Sequence, residues 1–394
     1  MPLSVSHLNF SASGGAGTVA TRLVEAQRDL GLDSRLVSRI DTTLWDRPFA
    51  APEVALAAAV DEFLLKNPTF PAPVSAARDL AERVPHSILD SSDALHLHGI
   101  NGLAKLSHLS QRYGSKKIVW TLHDMNPFTG VCHFSLGCQK FTTGCQECPA
   151  TRRVFHQVAP TTLRSKKNSL SQLSNLIIVA PSTWMSEQAS VSDVMKGRDI
   201  RVLPNPVGNE AFEEPLPGDS GRSSANELAL VVVAQDLADP RKNVSLALEA
   251  FSRFRQERFP VSITLIGRNG ERFAAPGVRW TGPLSAQDIR QEFSRADALI
   301  HAATADNSPL VIPEAAAQGC FPVVHRVGGM PEMVQKLGVG SVFDDLPSLV
   351  SSLRTLASMS AQDRHEARHT ATQKCKEVFS ASSVAAQYLA VYQN

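Results

Sequence analysis

Asp306 and Glu314 bracket the segment Asp306-Asn-Ser-Pro-Leu-Val-Ile-Pro-Glu314-Ala-Ala-Ala-Gln-Gly319, which reads as a loop leading into a helix. Backbone N–H groups at a helix start lack intrahelical partners, and the aligned peptide dipoles put partial positive charge there. A phosphate suits such a place. The carboxylates repel phosphate, but each accepts hydrogen bonds from neutral hydroxyls flanking it. Phosphate between two sets of hydroxyls describes a nucleotide-sugar. Two helix starts fit: Ser308 as cap with Pro309 in the first helical position, or Ile312 with Pro313 there. The later one is preferred, because proline inside a formed helix forfeits a hydrogen bond. Either puts Glu314 near the helix start, with Asn307, Ser308, Leu310 and Val311 on the approach to it.

Adjacent cations stand at a second turn. Arg241-Lys242 follows an apolar strand-like run and precedes a helix-like one, where paired positive charge neutralises a diphosphate as it leaves a sugar. A solvated turn is the bland alternative; the shared half-chain with Asp306 and Glu314 favours the diphosphate. Gly328-Gly329 follows a further strand and lets a ligand approach the backbone, though glycine pairs usually mark turns. At the amino end, Gly14, Gly15 and Gly17 lie between a strand and a helix. This is part of a dinucleotide fingerprint, with Ala20 in place of the third glycine and no acidic residue closing the second strand. The loop is read as a backbone surface facing a ligand, with NAD binding as the alternative.

Histidines cluster at strand ends in the first half. His96 and His98 alternate, so they share a strand face, and His123-Asp124 closes another strand. A lone histidine is more often structural than chemical. Several at carboxyl ends of strands favour a site, so His98 and His123 are candidates, with Asn101 and Asp124 beside them on the acceptor side, and His96 is assigned to structure. Arg152, Arg153, Arg164, Lys166 and Lys167 read as a solvated face, or else a surface for an anionic membrane or a phosphate-bearing acceptor.

Four of the six cysteines fall between Cys132 and Cys148, at positions 132, 138, 145 and 148. In a reducing compartment Cys132, Cys138, Cys145 and Cys148 point to a structural zinc stapling an irregular loop. Two local disulfides or four free thiols are the alternatives. A redox role fits less well, since that chemistry uses a single Cys-x-x-Cys at a helix start.

These residues need elements to hold them. Strand-like runs at 5–10, 34–38, 94–98, 118–122 and 176–180, then at 228–233, 261–266, 278–281, 298–301 and 321–324, alternate with helix-like ones. Several are continuously apolar, as strands covered by helices on both faces are. The pattern gives parallel sheets in an α/β fold. Chain length, 394 residues, exceeds one comfortable core. A stretch dense in Pro, Gly, Ser and charge after Pro204 is the linker between two domains. With 39 Lys plus Arg against 38 Asp plus Glu, nothing favours nucleic acid. The start carries no secretory pattern and no run is long enough to cross a bilayer, so cytoplasm is the expected location. The apolar stretch 49–60 is expected as a packed helix, with lipid contact as a minority reading.

Taken together, the chain resembles the retaining glycosyltransferases of family 4. The match is strongest over 306–334, and 11–17, Pro204-Asn205-Pro206, Arg241-Lys242 and 379–392 also fit. The stretch from Trp120 to Pro149, with its cysteines, is similar to a subgroup found in surface-polysaccharide biosynthesis. The resemblance implies a GT-B fold, two Rossmann-like domains facing a central cleft. It implies an acceptor domain over 1–205 with a cysteine loop at 130–150, a linker at 206–226, a donor domain over 227–377, and a helix at 378–394 packing back on the first domain. It implies that Glu314 binds ribose hydroxyls, Asp306 the donor sugar, Arg241 and Lys242 the diphosphate, and that His123 faces the sugar. Two departures stand out: Asp306 occupies a usual Glu position, and Gln235-Asp236 falls where many members carry a further Arg. The expected reaction moves a hexosyl unit from a UDP- or GDP-linked sugar to a saccharide or lipid-linked acceptor by front-face attack without a protein nucleophile, with peripheral contact at the inner membrane face. No Asp-x-Asp occurs in the sequence, so no catalytic metal is expected and activity should survive EDTA. An NAD-dependent oxidoreductase and a non-catalytic partner subunit are the competing readings.

Overall fold

The structure is a computed structural model that describes residues 2–38, 52–76, 84–212 and 227–393. The chain divides into two compact units, Met1–Pro206 with Val384–Asn394, and Val207–Ser383. The linker expected at 206–226 lies outside the described residues from 213 on, as do the first residues of the apolar stretch 49–60.

The first unit is built on a six-stranded sheet in the order β2-β1-β3-β4-β5-β6. Its strands are β1 (Ser4–Leu8), β2 (Asp33–Val37), β3 (Ala94–Leu97), β4 (Lys117–Thr121), β5 (Leu176–Ala180) and β6 (Ile200–Val202), all paired in parallel. Its helices are α1 (Gly14–Asp29), α2 (Pro52–Ala59), α3 (His86–Asp90), α4 (Leu106–Tyr113), α5 (Val158–Ser171) and α6 (Thr183–Ser190). A π-helical turn, Val60–Leu65, continues α2. β5 is buried at all five positions, which is why Leu-Ile-Ile-Val-Ala shows no alternation. Such a strand gains about 1.5–3 kcal/mol for each large aliphatic side chain fully withdrawn from water.

The second unit repeats the plan with the order β12-β11-β10-β7-β8-β9. The strands are β7 (Leu228–Asp236), β8 (Val261–Arg268), β9 (Val278–Trp280), β10 (Ala298–His301), β11 (Phe321–His325) and β12 (Ser341–Phe343), again parallel. Its helices are α7 (Val244–Gln256), α8 (Ala286–Arg295), α9 (Val311–Ala317), α10 (Met330–Leu337), α11 (Leu346–Ser358) and α12 (Ala361–Phe379). Two layers cover the sheet: Phe254, Leu265 and Phe343 pack on one side, Phe293, Ile312 and Phe379 on the other. The last helix, α13 (Ala381–Gln393), belongs to the first unit from Val384 on.

In each sheet the strand order reverses at one point, between β1 and β3 and between β7 and β10. Loops leaving the carboxyl ends of two such strands turn to opposite faces and open a crevice, where parallel sheets bind their ligands.

Candidate active site

In the second unit that crevice is lined from two loops. β7 leads to a turn in which Asp239 caps a short helical turn, its Oδ1 accepting from Arg241 N–H at 2.9 Å. The Asp239 carboxylate also holds the Arg241 guanidinium at 3.2 and 2.5 Å. β10 leads through Thr304, whose N–H donates to Arg241 O at 2.8 Å, to Asp306. Lys242 Nζ donates to Asp306 Oδ2 at 2.8 Å, and His301 Nε2 lies 3.2 Å from the same oxygen. Asn307 N–H donates to Asp306 Oδ1 at 3.0 Å. Burial alone would raise the Asp306 carboxyl, but Lys242 and His301 outweigh it and hold it well below the usual range. Burial in turn keeps His301 below its ordinary value, partly offset by Asp306.

The third wall is the glycine turn after β11. Gly328 has φ +60°, and a Cβ there would stand 1.8 Å from Asp306 O. The turn therefore abuts the Asp306 backbone, and Gly329 N–H donates to Asn307 O at 3.1 Å. Asn307 and Ser308 are buried.

The helix that carries Glu314 starts earlier than expected. α9 begins at Val311 with Leu310 as its cap residue, not at Pro313. Pro313 occupies the third helical position, still inside the first turn, where the N–H would have no intrahelical acceptor. The proline therefore costs nothing there. Ile312, Pro313, Ala315, Ala316 and Ala317 are buried, leaving Val311 and Glu314, three apart, on the partly open face.

In the first unit, the loops after β1, β3 and β4 enclose a pocket of about 270 Å³. Gly14, Gly15, His98, Asn101, His123 and Asp124 all line it, so the sequence candidates of this half converge on one place. A Cβ on Gly17 would stand 2.5 Å from Ser11 O, whereas one on Gly15 meets nothing within 4 Å. Gly17 thus serves the loop's own packing, and Gly15 leaves space open. Asp124 Oδ2 pairs with His133 Nδ1 at 2.7 Å, and His133 Nε2 lies 2.8 Å from Ser75 Oγ. Asn101 Nδ2 donates to Asn126 Oδ1 at 2.9 Å.

Behind the pocket runs a line of histidines. Gln27 Nε2 donates to Tyr392 Oη at 3.0 Å, which turns Gln27 Oε1 toward His7 Nε2 (2.9 Å) and Ser34 Oγ (2.8 Å). With His7 Nε2 donating, His7 Nδ1 accepts from His98 Nε2 at 3.0 Å, and His98 Nδ1 accepts from His123 Nε2 at 2.8 Å. The order assigns a proton to Nε2 of all three rings. Burial pushes His7 and His123 down to about 4 and His98 well below its ordinary value, so the rings are neutral. His96 bonds Tyr392 Oη at 2.7 Å and Thr121 Oγ1 at 2.8 Å, and Tyr388 Oη lies 2.8 Å from Thr121 Oγ1. Ring nitrogens of His7, His96 and His98 lie within 4.8 Å of one another, a spacing that suits a metal. Each already has a hydrogen-bond partner, which explains the grouping without one.

One sequence reading is corrected here. Lys166 is not part of a solvated face: it is 6% exposed, with Nζ donating to Asn126 O at 2.7 Å and Thr129 O at 3.1 Å. It clamps the carbonyls of the loop under the pocket. Arg152, Arg153, Arg164 and Lys167 are exposed. His7, Gln27, His133, Lys166 and His301 were missed. His301 ends β10 as His123 follows β4, so the strand-end rule already in use would have found it. His7 needs the strand order, because only β1–β3 pairing sets it beside His96.

Known proteins agree with this architecture. Residues 13–210, half of the chain, match the family described as Glycosyltransferase Family 4, and residues 228–359 match Glycosyl transferases group 1. A putative colanic acid biosynthesis glycosyl transferase, WcaC of Escherichia coli (strain K12), is 24% identical over 290 residues, covering 70% of this chain and 68% of that protein. Among solved structures, sucrose-phosphate synthase from Thermosynechococcus elongatus superposes with TM-score 0.66 at 15% identity, covering 99% of this chain and 98% of its own. Anabaena HepE, in complex with UDP and glucose, gives 0.64 at 17% identity with 99% of both chains covered. WaaG, a glycosyltransferase involved in lipopolysaccharide biosynthesis, gives 0.63 at 14% identity, covering 99% of this chain and 100% of that one. These structural likenesses are of fold, two Rossmann-like domains of the GT-B kind. The family match sets aside the oxidoreductase and the non-catalytic subunit: the chain belongs to glycosyltransferase family 4 and is a glycosyltransferase.

Proposed function

We propose that this enzyme takes a hexosyl unit from a UDP- or GDP-linked sugar and passes it, with retention at the anomeric carbon, to a saccharide or lipid-linked saccharide during surface-polysaccharide synthesis. The observation that carries the reading is the meeting of Lys242, His301 and Asp306 at the β7/β10 reversal, at 2.8 and 3.2 Å. A cation and a carboxylate side by side suit a ligand that pairs a diphosphate with sugar hydroxyls. The names of WcaC and WaaG, and the UDP in HepE, support the polysaccharide setting and a nucleotide-sugar donor.

In this reading the acceptor hydroxyl attacks the anomeric carbon on the face the diphosphate leaves. The new carbon–oxygen bond forms as the sugar–phosphate bond breaks, and the hydroxyl proton passes to a leaving-phosphate oxygen. Lys242 and Arg241 compensate the charge gathering on that group. Asp306, ionised at neutral pH, accepts from sugar hydroxyls, and Glu314 on the open face of α9 accepts from the ribose. His123 and Asp124 supply polar contacts in the amino-terminal pocket. No protein nucleophile and no catalytic metal are needed. A panel of UDP- and GDP-sugars, measured for slow release of free nucleotide, identifies the donor. Folded Glu314→Ala and Lys242→Ala variants that both retain full activity with that donor would overturn the assignment.

We further propose peripheral contact of the first unit with an anionic membrane at its cytoplasmic face. No described helix is long and apolar enough to cross a membrane. Leu56, Phe63, Leu64 and Val154 are 67%, 71%, 55% and 79% exposed. Arg152 Nη2 donates to Phe63 O at 2.8 Å, and Arg152 and Arg153 are exposed beside these apolar groups. Apolar wedges next to basic groups suit a lipid surface, at roughly 1 kcal/mol for each basic residue. Flotation with phosphatidylglycerol vesicles should lift the protein, and Phe63→Ser or Arg153→Ser should weaken it; equal flotation of all three would refute the contact.

A further inference from the structure

We infer that Cys132, Cys138, Cys145 and Cys148 together bind one zinc ion as thiolates. All four line a single enclosed cavity of about 10 Å³ with Phe70 and Phe141. That space suits one ion and no organic ligand. None of the six cysteines is in a disulfide.

The backbone is arranged for sulfur ligands. Gly130 N–H donates to Cys145 Sγ at 3.3 Å. An amide donor to a cysteine sulfur stabilises a thiolate and orients it, the task of the partners behind a metal ligand. Leu136, Cys145 and Glu147 hold φ of 49°, 58° and 48°, left-handed values for residues with a Cβ. Each costs on the order of 1–3 kcal/mol unless something fixes it. Metal bonds to the cysteines fix the loop between them.

The sulfurs stand wider than a closed coordination shell. Among the described residues, three ligand atoms within 4.8 Å of one another occur at His7, His96 and His98, not among the cysteines. Zinc–sulfur bonds of about 2.3 Å would draw the loop inward. The contraction matters to the neighbouring pocket, because Cys132 precedes His133, the partner of Asp124.

Elemental analysis of full-length protein grown in zinc-containing medium tests this directly. One zinc per chain is expected, retained in Cys320→Ser and Cys375→Ser and lost in Cys145→Ser. Should Cys145→Ser fail to fold, titrating the native wild-type protein with a mercurial gives a second readout: zinc released in step with four modified thiols. Cobalt in place of zinc should give intense tetrahedral thiolate bands. Protein free of zinc, iron in its place, or an intact mass showing two disulfides would each overturn the assignment.

Discussion

Lys242 Nζ lies 2.8 Å from Asp306 Oδ2, joining the loops after β7 and β10 across the point where the sheet reverses. The pair holds a neutralised charge, so under the function proposed above donor binding would divide Lys242 between carboxylate and phosphate. Lys242→Met removes the cation and leaves the partly buried Asp306 beside His301. By analogy with other lost transition-state donors, kcat/KM should fall about 10²- to 10³-fold. Asp306→Asn keeps the cation, and the double variant should lose less than the two single losses combined, because the two act as one unit. Strict additivity in steady-state kinetics would separate their roles.

The same pair sets an acid limit. The folded Asp306 carboxyl titrates below its ordinary 3.8, so the unfolded chain binds this proton first as pH falls. Its stabilisation is complete above 3.8 and drains away below it. The histidine line acts at higher pH. His7 and His123 are held near 4 against 6.5 when unfolded. The unfolded chain therefore takes up their protons between 6.5 and 4, and stability should fall across that window, by on the order of 3 kcal/mol for each ring. Thermal unfolding followed from about pH 8 to pH 4 should show the loss. His7→Gln, which can still accept from His98 and donate to Gln27, should flatten part of the slope; an unchanged slope would show that His7 is not the group titrating.

Tyr392 tests how the histidine protons are arranged. Its hydroxyl accepts from Gln27 and donates to His96, so Tyr392→Phe strands two buried polar groups. A cost of about 2–4 kcal/mol is expected. Freed from Tyr392, the Gln27 amide can turn over and present its N–H groups to His7, reversing the donor order through His98 to His123. Nitrogen chemical shifts of His123 would report the tautomer: Nε2–H in the wild type, a mixture in the variant. An unmixed Nε2–H signal in the variant would mean that Tyr392 only packs.

Much of this was legible in the residues, and the gaps have physical causes. Ten strands were legible from alternating strand-like and helix-like runs, most plainly β5, where burial of all five positions leaves nothing polar. β6 and β12, three residues each, went unseen because two apolar residues beside one polar one make no run that marks a strand. The candidates His98, His123, Asp124, Asn101, Gly14 and Gly15 meet in one pocket because each follows a strand end, and strand ends in a parallel sheet share an edge. The ion pairs of Arg241 with Asp239 and Lys242 with Asp306 were not foreseen, since sequence shows which charges a loop carries but not which way they turn. Lys166 escaped for a related reason: in a helix otherwise rich in exposed polar residues, nothing marks the one lysine whose head meets a ring of carbonyls.

The glycines of the amino-terminal loop separate folding from ligand approach. Gly17→Ala would drive a methyl to 2.5 Å from Ser11 O, against backbone that cannot yield without moving the loop. That variant should be destabilised and inactive together. Gly15 lies in the first turn of α1 and its added Cβ would meet no protein atom within 4 Å. Gly15→Ala should therefore fold at least as well as the wild type, with up to about 1 kcal/mol gained from the better helix former. Gly15 also lines the amino-terminal pocket, and under the function proposed above that space takes a substrate. A Gly15→Ala enzyme of unchanged or raised melting temperature should show KM increased at least several-fold for one of its two substrates. Unaltered KM for both would mean that nothing comes close to this turn, and the amino-terminal pocket would lose its glycine wall.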